Sequence, residues 1–150
     1  MAKVSSADRA QFLLDVEAAS QAATWCAIAT VDGAEPRVRV VHPTWEGDTL
    51  WFATGTSSAK VRHIQQNPAV DLQFQVGPPG FVHVVVRGTA EIITDTLEKK
   101  RVWDVIDYDL SQFWADGPDD PNYTLVKISP TRVELSKMFG SVEKRVLWAD

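Results

Sequence analysis

The sequence predicts a mainly β protein, an antiparallel barrel with a helix ahead of it and short helices at its periphery. Three observations support this α+β class: five strand-like stretches fall between residues 24 and 94, short turn signals connect them, and a single short helical pattern interrupts them. Hairpins join antiparallel strands, whereas parallel strands need long crossovers. The pattern therefore favours a barrel over a doubly wound sheet.

The composition is that of an ordinary globular protein and predicts one domain over residues 1–150. The net charge of −5 provides no basic surplus, which argues against nucleic acid or an anionic membrane as a partner. No leader pattern or membrane-spanning apolar run is present, and the one cysteine, Cys26, lies in an apolar stretch. We therefore expect a cytoplasmic protein with a buried thiol.

The first half of the chain predicts a helix and then strands. Residues 5–20 form an amphipathic helix that Ser5 or Ser6 can cap, with apolar residues at helical spacing. The signal Asp32-Gly33 predicts a hairpin. The strands fall at Thr24–Val31 and Pro36–His42, and a third opens at Leu50.

A short helix over about Ala59–Gln66 comes next, and Asn67-Pro68 ends it. The following strands are Val70–Val76 and Phe81–Ile93, with a bulge at Arg87-Gly88.

After residue 94 the pattern predicts a second helix over Thr96–Tyr108 and a Pro- and Gly-rich loop from Trp114 to Pro121. A last pair of strands, 125–128 and 132–137, lies on either side of Ser129-Pro130. The tail from residue 138 carries apolar residues that need a surface to cover.

The stretch from Leu50 to Pro68 is the strongest candidate for a binding site. Ser57 and Ser58 occupy capping positions before the short helix, and Lys60 falls in its first turn. A cation there is unfavourable against the helix dipole unless an anion lies in front of it. Hydroxyls, free N–H groups and a lysine at one helix start suit a phosphate. The stretch alone leaves two interpretations open, a phosphate site or an ordinary capped helix.

Two arginines on the second strand are a further candidate for anion binding. Arg37 and Arg39 project to the same face, where like charges repel unless each finds a partner. An anion could be that partner, but spacing alone favours arginines that are solvated or paired with acids on a neighbouring strand.

Several short motifs, in this order and spacing, resemble the pyridoxamine 5′-phosphate oxidase-like family of flavin-binding split barrels. They are Pro36-x-x-Arg39, Phe52-x-Thr54, Ser58-x-Lys60, Asn67-Pro68 and Gly88-Thr89-Ala90-Glu91. The C-terminal part, with Trp103, Trp114 and the Pro-rich segment after it, resembles the general stress protein branch of that family. The resemblance covers nearly the whole chain and implies a split barrel.

The resemblance also implies an FMN bound between the two subunits of a homodimer. Its phosphate would be held by Arg39 of the second strand and by Ser58 and Lys60 at the helix start, next to Ser57. The ring and polyol would lie along two backbone segments, Val40 with Val41 and Ala53 with Thr54.

For two further residues, the resemblance implies a contact with the flavin, and an ordinary structural role is the alternative. His83 falls where oxidase members place a glutamine near the ring; otherwise it faces solvent or packs against the barrel. Trp114 either covers the flavin from the partner subunit or anchors its loop.

The sequence also departs from the oxidase pattern. Ala59 replaces an arginine, Thr44 stands near the place of a lysine, and the C-terminal signature that reads pyridoxal phosphate is not clearly present. Oxidation of pyridoxamine phosphate is therefore not expected. No catalytic triad, metal-ligand cluster or acid–base carboxylate pair is evident, so catalytic residues stay unassigned.

Three functions remain open at this stage. The first is an FMN-dependent oxidoreductase of unknown substrate, with NAD(P)H or another small molecule as electron donor. The second is a flavin-binding stress protein without turnover, a flavin store or sensor. The third is a split barrel that binds a deazaflavin, or haem with His83 as axial ligand. Six tryptophans are more than one small core readily hides, which favours a homodimer.

Overall fold

The computed structural model describes residues 1–149 and contains one antiparallel sheet of nine strands. Its strands are β1 (Ala2–Lys3), β2 (Cys26–Asp32), β3 (Glu35–Val41), β4 (Thr44–Glu46), β5 (Thr49–Gly55), β6 (Ala69–Phe74), β7 (His83–Ile93), β8 (Tyr123–Lys137) and β9 (Val142–Trp148). Its helices are α1 (Arg9–Ala23), α2 (Ala59–Gln66) and α3 (Thr96–Trp103), with 3₁₀ turns at Leu110–Gln112 and Gly117–Asp119. Among the described strands, only the two-residue β1 pairs in parallel, against β9.

The sheet curls into a barrel that does not close. Its path runs β1-β9-β8-β7-β6-β2-β3, while β5 pairs with β8 and β4 pairs with β5. Among residues 1–149, β3 has no strand partner other than β2, so one of its edges is free. The predicted split antiparallel barrel is confirmed.

The long strand β8 holds the barrel together because it has three partners. Its first half pairs with β5, its second half pairs with β9, and β7 runs along both. The β7–β8 register shifts at Arg87-Gly88, where the bulge was predicted, but the extra residue, Thr131, is on β8, and Gly88 faces Pro130. A Cβ on Gly88 would come within 2.6 Å of the Ser129 carbonyl oxygen, so the two backbones touch only because this residue is glycine.

Two predictions for the C-terminal half were wrong in detail, those for the last pair of strands and for the end of the second helix. The expected pair of strands around Ser129-Pro130 is one continuous strand, because Pro130 lies at the bulge, where the ladder is already interrupted. The tail forms β9 against β8. The second helix ends at Trp103, where the Asp104 N–H bonds back to the carbonyls of Arg101 and Val102 and tightens the last turn.

Two apolar clusters fill the molecule. The larger lies inside the barrel and includes Phe12 of α1, Ile28, Phe52 and Leu72. The smaller packs α3 and the loop after it against the outside of β5 and β8, and includes Trp51 and Trp114. Within residues 1–149 no helix is long and apolar enough to cross a membrane.

Candidate functional site

A cluster of positive charge lies between the free edge strand β3 and the start of α2. Arg39 of β3 is half-buried and points to the same face as Ile28, its partner on β2, and therefore toward α2. Lys60, in the first turn of α2, is also half-buried. Neither side chain forms an ion pair with a carboxylate of the described chain.

The pKa of Lys60 is lowered, first by burial and second by the charge of Arg39. A lowered lysine pKa means that the protonated side chain is less favourable here than in water. The pair therefore lacks a negative charge that would stabilise it.

Ser58 occupies the N-cap position of α2, as predicted, but its hydroxyl does not cap the helix. Its Oγ accepts a hydrogen bond from the Lys60 ammonium at 2.7 Å instead. This corrects the expected capping role. The first-turn N–H groups of α2 are left without a side-chain acceptor, and the N-terminus keeps its partial positive charge.

Arg37 and Arg39 have different surroundings although they share a face of β3. Arg37 bonds to Glu35 and lies 4.0 Å from an Asp32 carboxylate oxygen. Arg37 is therefore paired with carboxylates, as spacing favoured. Of the two arginines, Arg39 is the one without a carboxylate partner among the described residues, and it can bind an anion.

The backbone segments assigned to the flavin lie on two free edges of the barrel. Val40 and Val41 are on β3. Ala53 and Thr54 are on the half of β5 that extends beyond β4, because the pairing of β4 reaches only to Trp51. Their edges away from β2 and β8 keep backbone groups that can bond to a ligand.

His83, Trp114 and Ser57 do not join the cationic cluster within one chain. His83 begins β7, which β6 and β2 separate from β3. Its Nδ1 is buried and, like the Oγ of Ser136 in the opposite strand, has no hydrogen-bond partner within residues 1–149. Trp114 donates from Nε1 to the Asn122 carbonyl at 2.9 Å and is buried in its loop. Ser57 is exposed.

Sequence reasoning missed a polar cavity of about 220 Å³ at the C-terminal end of β3. His42, Thr44, Asp107 and Glu17 are among its lining residues. The His42 ring stacks on Tyr108 with 4.4 Å between ring centroids, and its Nε2 lies 2.9 Å from an Asp107 oxygen. Since His42 is more than 60 positions from Asp107 and Tyr108 in sequence, no local motif indicates this cavity.

A second cavity, of about 400 Å³, lies on the outer face of the sheet beside Val40, Trp25, Gln73 and Phe139. Trp25, Val40 and Phe139 are each more than half exposed. This face is therefore an exposed apolar surface beside the free edge strand β3.

Two other candidate chemistries find no support in the described chain. Cys26 is buried, and burial raises the pKa of its thiol to about 12, so it does not supply a thiolate nucleophile at neutral pH. No group of three or more His, Cys, Asp and Glu side chains within residues 1–149 could hold a metal ion.

The open antiparallel barrel, with a cationic helix start beside its free edge, defines a split-barrel protein. The chain belongs to the pyridoxamine 5′-phosphate oxidase family, whose sequence pattern matches residues 15–137. The family resemblance found in the sequence is thereby confirmed.

In sequence and in structure the chain is similar to general stress proteins. It is 29% identical to General stress protein 26 of Bacillus subtilis over 110 residues, 72% of this chain and 76% of that protein. The crystal structure of a related protein from Clostridium acetobutylicum superposes with a TM-score of 0.76, at 20% identity, over 93% of this chain and 96% of that one. The crystal structure of a Nostoc punctiforme protein described as FMN-binding superposes with a TM-score of 0.66 at 20% identity. The superposition covers 93% of this chain and 95% of that one.

Proposed function

We propose that this protein binds FMN, with the phosphate held by Arg39, Lys60 and Ser58 at the start of α2. The observation that carries the proposal is the half-buried pair of cations without a carboxylate partner, in front of an uncapped helix. A phosphate monoester supplies the missing charge and accepts from both side chains and from the helix N–H groups. The Nostoc neighbour described as FMN-binding supports the same assignment.

The rest of the cofactor would lie along the free edges of β3 and β5, at Val40, Val41, Ala53 and Thr54. Bound FMN supplies hydride and single-electron transfer. The chain supplies backbone donors and acceptors to the ring, orientation, and control of access. The cavity at His42 and Asp107 adjoins the end of β3 and offers room for a small polar substrate. This cavity favours an FMN-dependent oxidoreductase over a flavin store.

FMN fits the charges better than a flavin with a longer acidic tail. Beyond Arg39, the cations Arg37 and Arg62 are already paired with Asp32, and Arg37 with Glu35 as well. A second phosphate, or the acidic tail of a deazaflavin, would meet these carboxylates rather than unpaired cations. Haem would need an axial ligand, for which His83 is the candidate. His83 begins β7, away from the cationic cluster, and its Nδ1 is buried near Ser136, which does not favour haem.

A second copy of the chain would cover the exposed apolar face around Val38, Val40, Trp25 and Phe139. Exposed side chains of this size on a soluble protein mark an interface. A homodimer built on this face places the partner against the strand that carries Arg39. The predicted roles of His83 and Trp114 toward the flavin belong to this dimer.

The absorption spectrum of the purified protein and titrations with FMN, FAD and riboflavin test the cofactor. We expect flavin bands or saturable FMN binding with one site per chain, and tighter binding of FMN than of riboflavin or FAD. Equal affinity for FMN and riboflavin would overturn the phosphate site. Failure of all three flavins to bind would remove the function.

Anaerobic mixing of the FMN-loaded protein with NADH or NADPH tests the oxidoreductase assignment. Bleaching of the flavin bands within seconds to minutes is expected for an enzyme. Flavin that dithionite reduces but neither nicotinamide reduces would favour the alternative, a flavin store or sensor.

A further inference from the structure

His63 of α2 is buried directly behind Arg39. Only 2% of its surface is exposed. Its ring touches polar groups from two strands and from its own helix, although nothing in its sequence surroundings marks it as functional.

The two ring nitrogens of His63 face different partners. Nδ1 lies 2.9 Å from the Thr30 hydroxyl and 3.4 Å from Nη2 of Arg39. Nε2 lies 3.4 Å from a carboxylate oxygen of Asp32. Arg62 approaches Nε2 at 3.4 Å, but its other guanidinium nitrogen bonds to Asp32 at 3.3 Å.

Asp32 at Nε2 and Arg39 at Nδ1 favour one tautomer, which the approach of Arg62 to Nε2 opposes. A carboxylate requires a donor, so the proton belongs on Nε2, toward Asp32. Nδ1 then has a lone pair that accepts from the Arg39 guanidinium and from the Thr30 hydroxyl. Lys60 and Arg37 are the other charges nearby, and neither contacts the ring within residues 1–149.

We propose that His63 is a positioning residue that holds the Arg39 guanidinium in the orientation that binds the cofactor phosphate. This inference rests on the proposed function. An arginine on an edge strand otherwise samples many rotamers, and fixing one beforehand lowers the entropic cost of binding. Because the imidazole is a neutral acceptor, it fixes Arg39 without cancelling its charge. A carboxylate in the same place would cancel it.

The separation of Asp32 from Arg39 follows the same logic. Asp32 lies on the far side of the imidazole, where it sets the tautomer and pairs with Arg37 and Arg62. The ring therefore transmits an orientation from the carboxylate to Arg39 while it keeps the two charges apart.

Affinities for FMN and riboflavin test this role, because riboflavin lacks the phosphate. His63→Leu should weaken FMN binding by roughly 10–150-fold, the range of one lost hydrogen bond to a charged group, and leave riboflavin affinity unchanged. His63→Gln, whose amide oxygen can accept from Arg39, should recover most of the loss. An equal loss for both flavins would show a merely structural residue, and no loss for either would also overturn the proposal.

A double-mutant cycle separates positioning from direct contact. In an Arg39→Ala background, His63→Leu should weaken FMN binding no further. An additional loss of the same size would mean that His63 acts independently of Arg39. If the wild-type protein binds no flavin at all, the proposed function fails rather than the role of His63.

A measurement on the wild-type protein covers the case in which the leucine variant does not fold. The ¹⁵N spectrum of the His63 ring should show the proton on Nε2 and a lone pair on Nδ1. Addition of FMN should shift the Nδ1 resonance, because Arg39 then shares its donors with phosphate. A proton on Nδ1, or a Nδ1 resonance that FMN leaves unchanged, would overturn the proposal.

Discussion

At the scale of single residues, the neighbouring carboxylates decide which of two equivalent arginines is free to bind an anion. Arg37 and Arg39 occupy alternate positions of one strand, on one face, but Glu35 and Asp32 pair only with Arg37. Arg39 has the neutral His63 in that place. The difference cannot be read from spacing, because His63 comes from a helix more than 20 residues away.

Arg39→Ala and Lys60→Ala should each weaken FMN binding by about 1.5–3 kcal/mol, the contribution of a charge-assisted hydrogen bond. Isothermal titration measures this directly. Arg37→Ala is the matched control and should leave the affinity unchanged, since its charge is already paired. Equal losses in all three variants would point to general electrostatic attraction instead of a built site.

Lys60→Met should raise the melting temperature of the flavin-free protein while it weakens FMN binding. The pKa of Lys60 is lowered by burial and by Arg39, so the unfolded chain binds this proton more tightly. Stability therefore rises as pH increases through the window between the lowered pKa and the ordinary lysine pKa of 10.5. At neutral pH, below that window, the charge destabilises the fold.

The size of the gain should be about 1–2 °C at pH 7, as for other half-exposed substitutions. Lys137→Met, which removes an exposed lysine that pairs with Glu143 at 2.8 Å, is the control and should give no gain. A lower melting temperature for Lys60→Met would contradict the interpretation of an uncompensated charge.

At the scale of helices and strands, the features that depend on a short stretch of sequence were predicted correctly. The hairpin at Asp32-Gly33, the bounds of α2 and the position of the register shift at Arg87-Gly88 are all as predicted. The continuity of β8 and the existence of β9 were missed, because both depend on pairing between distant segments. Ser129-Pro130 has the local signature of a break, but the bulge at Thr131, beside Pro130 on β8, lets the strand continue.

In the candidate site, too, contacts between segments distant in sequence could not be predicted. The helix start at Ser58 and Lys60 was predictable from capping and dipole arguments, although the Ser58 hydroxyl bonds to Lys60 rather than to the helix. The ring of contacts around His63 was not, since Thr30, Asp32 and Arg39 converge on it from two strands.

Gly88→Ala should destabilise the protein by about 1–3 kcal/mol, which corresponds to roughly 2–12 °C in melting temperature. The new Cβ would lie 2.6 Å from the Ser129 carbonyl oxygen, and backbone cannot move aside as a side chain can. Urea unfolding followed by circular dichroism gives the value. Gly77→Ala, where nothing lies within 4 Å, is the control and should change stability little.

At the scale of the whole molecule, the apolar outer face is the surface on which we propose that a second copy binds. Val38 and Val40 are 70% and 66% exposed on the edge strand, and Trp25 and Phe139 continue the same surface. Of the tryptophans whose number favoured a dimer, Trp45, Trp51 and Trp114 are buried within one chain, and Trp25 lies on this face. The dimer proposal therefore rests on the exposed face itself.

Val38→Glu should convert the proposed dimer into a monomer, because a carboxylate cannot be buried unpaired in an apolar interface. Light scattering coupled to size-exclusion chromatography distinguishes the two masses. Leu97→Glu is the matched control, as Leu97 is 78% exposed on α3, away from this face. A wild-type protein that already elutes as a monomer would refute the dimer.

In the proposed dimer, the two faces of β3 would couple cofactor binding to assembly. Arg39 points toward the start of α2, while Val38 and Val40 are exposed on the opposite face, where we propose that the second copy binds. Because the same strand would contact both the cofactor and the second copy, the two equilibria would be thermodynamically linked. Dilution that separates the subunits should release cofactor, and cofactor should hold the subunits together by the same free energy. The apparent flavin affinity would then be a function of the protein concentration.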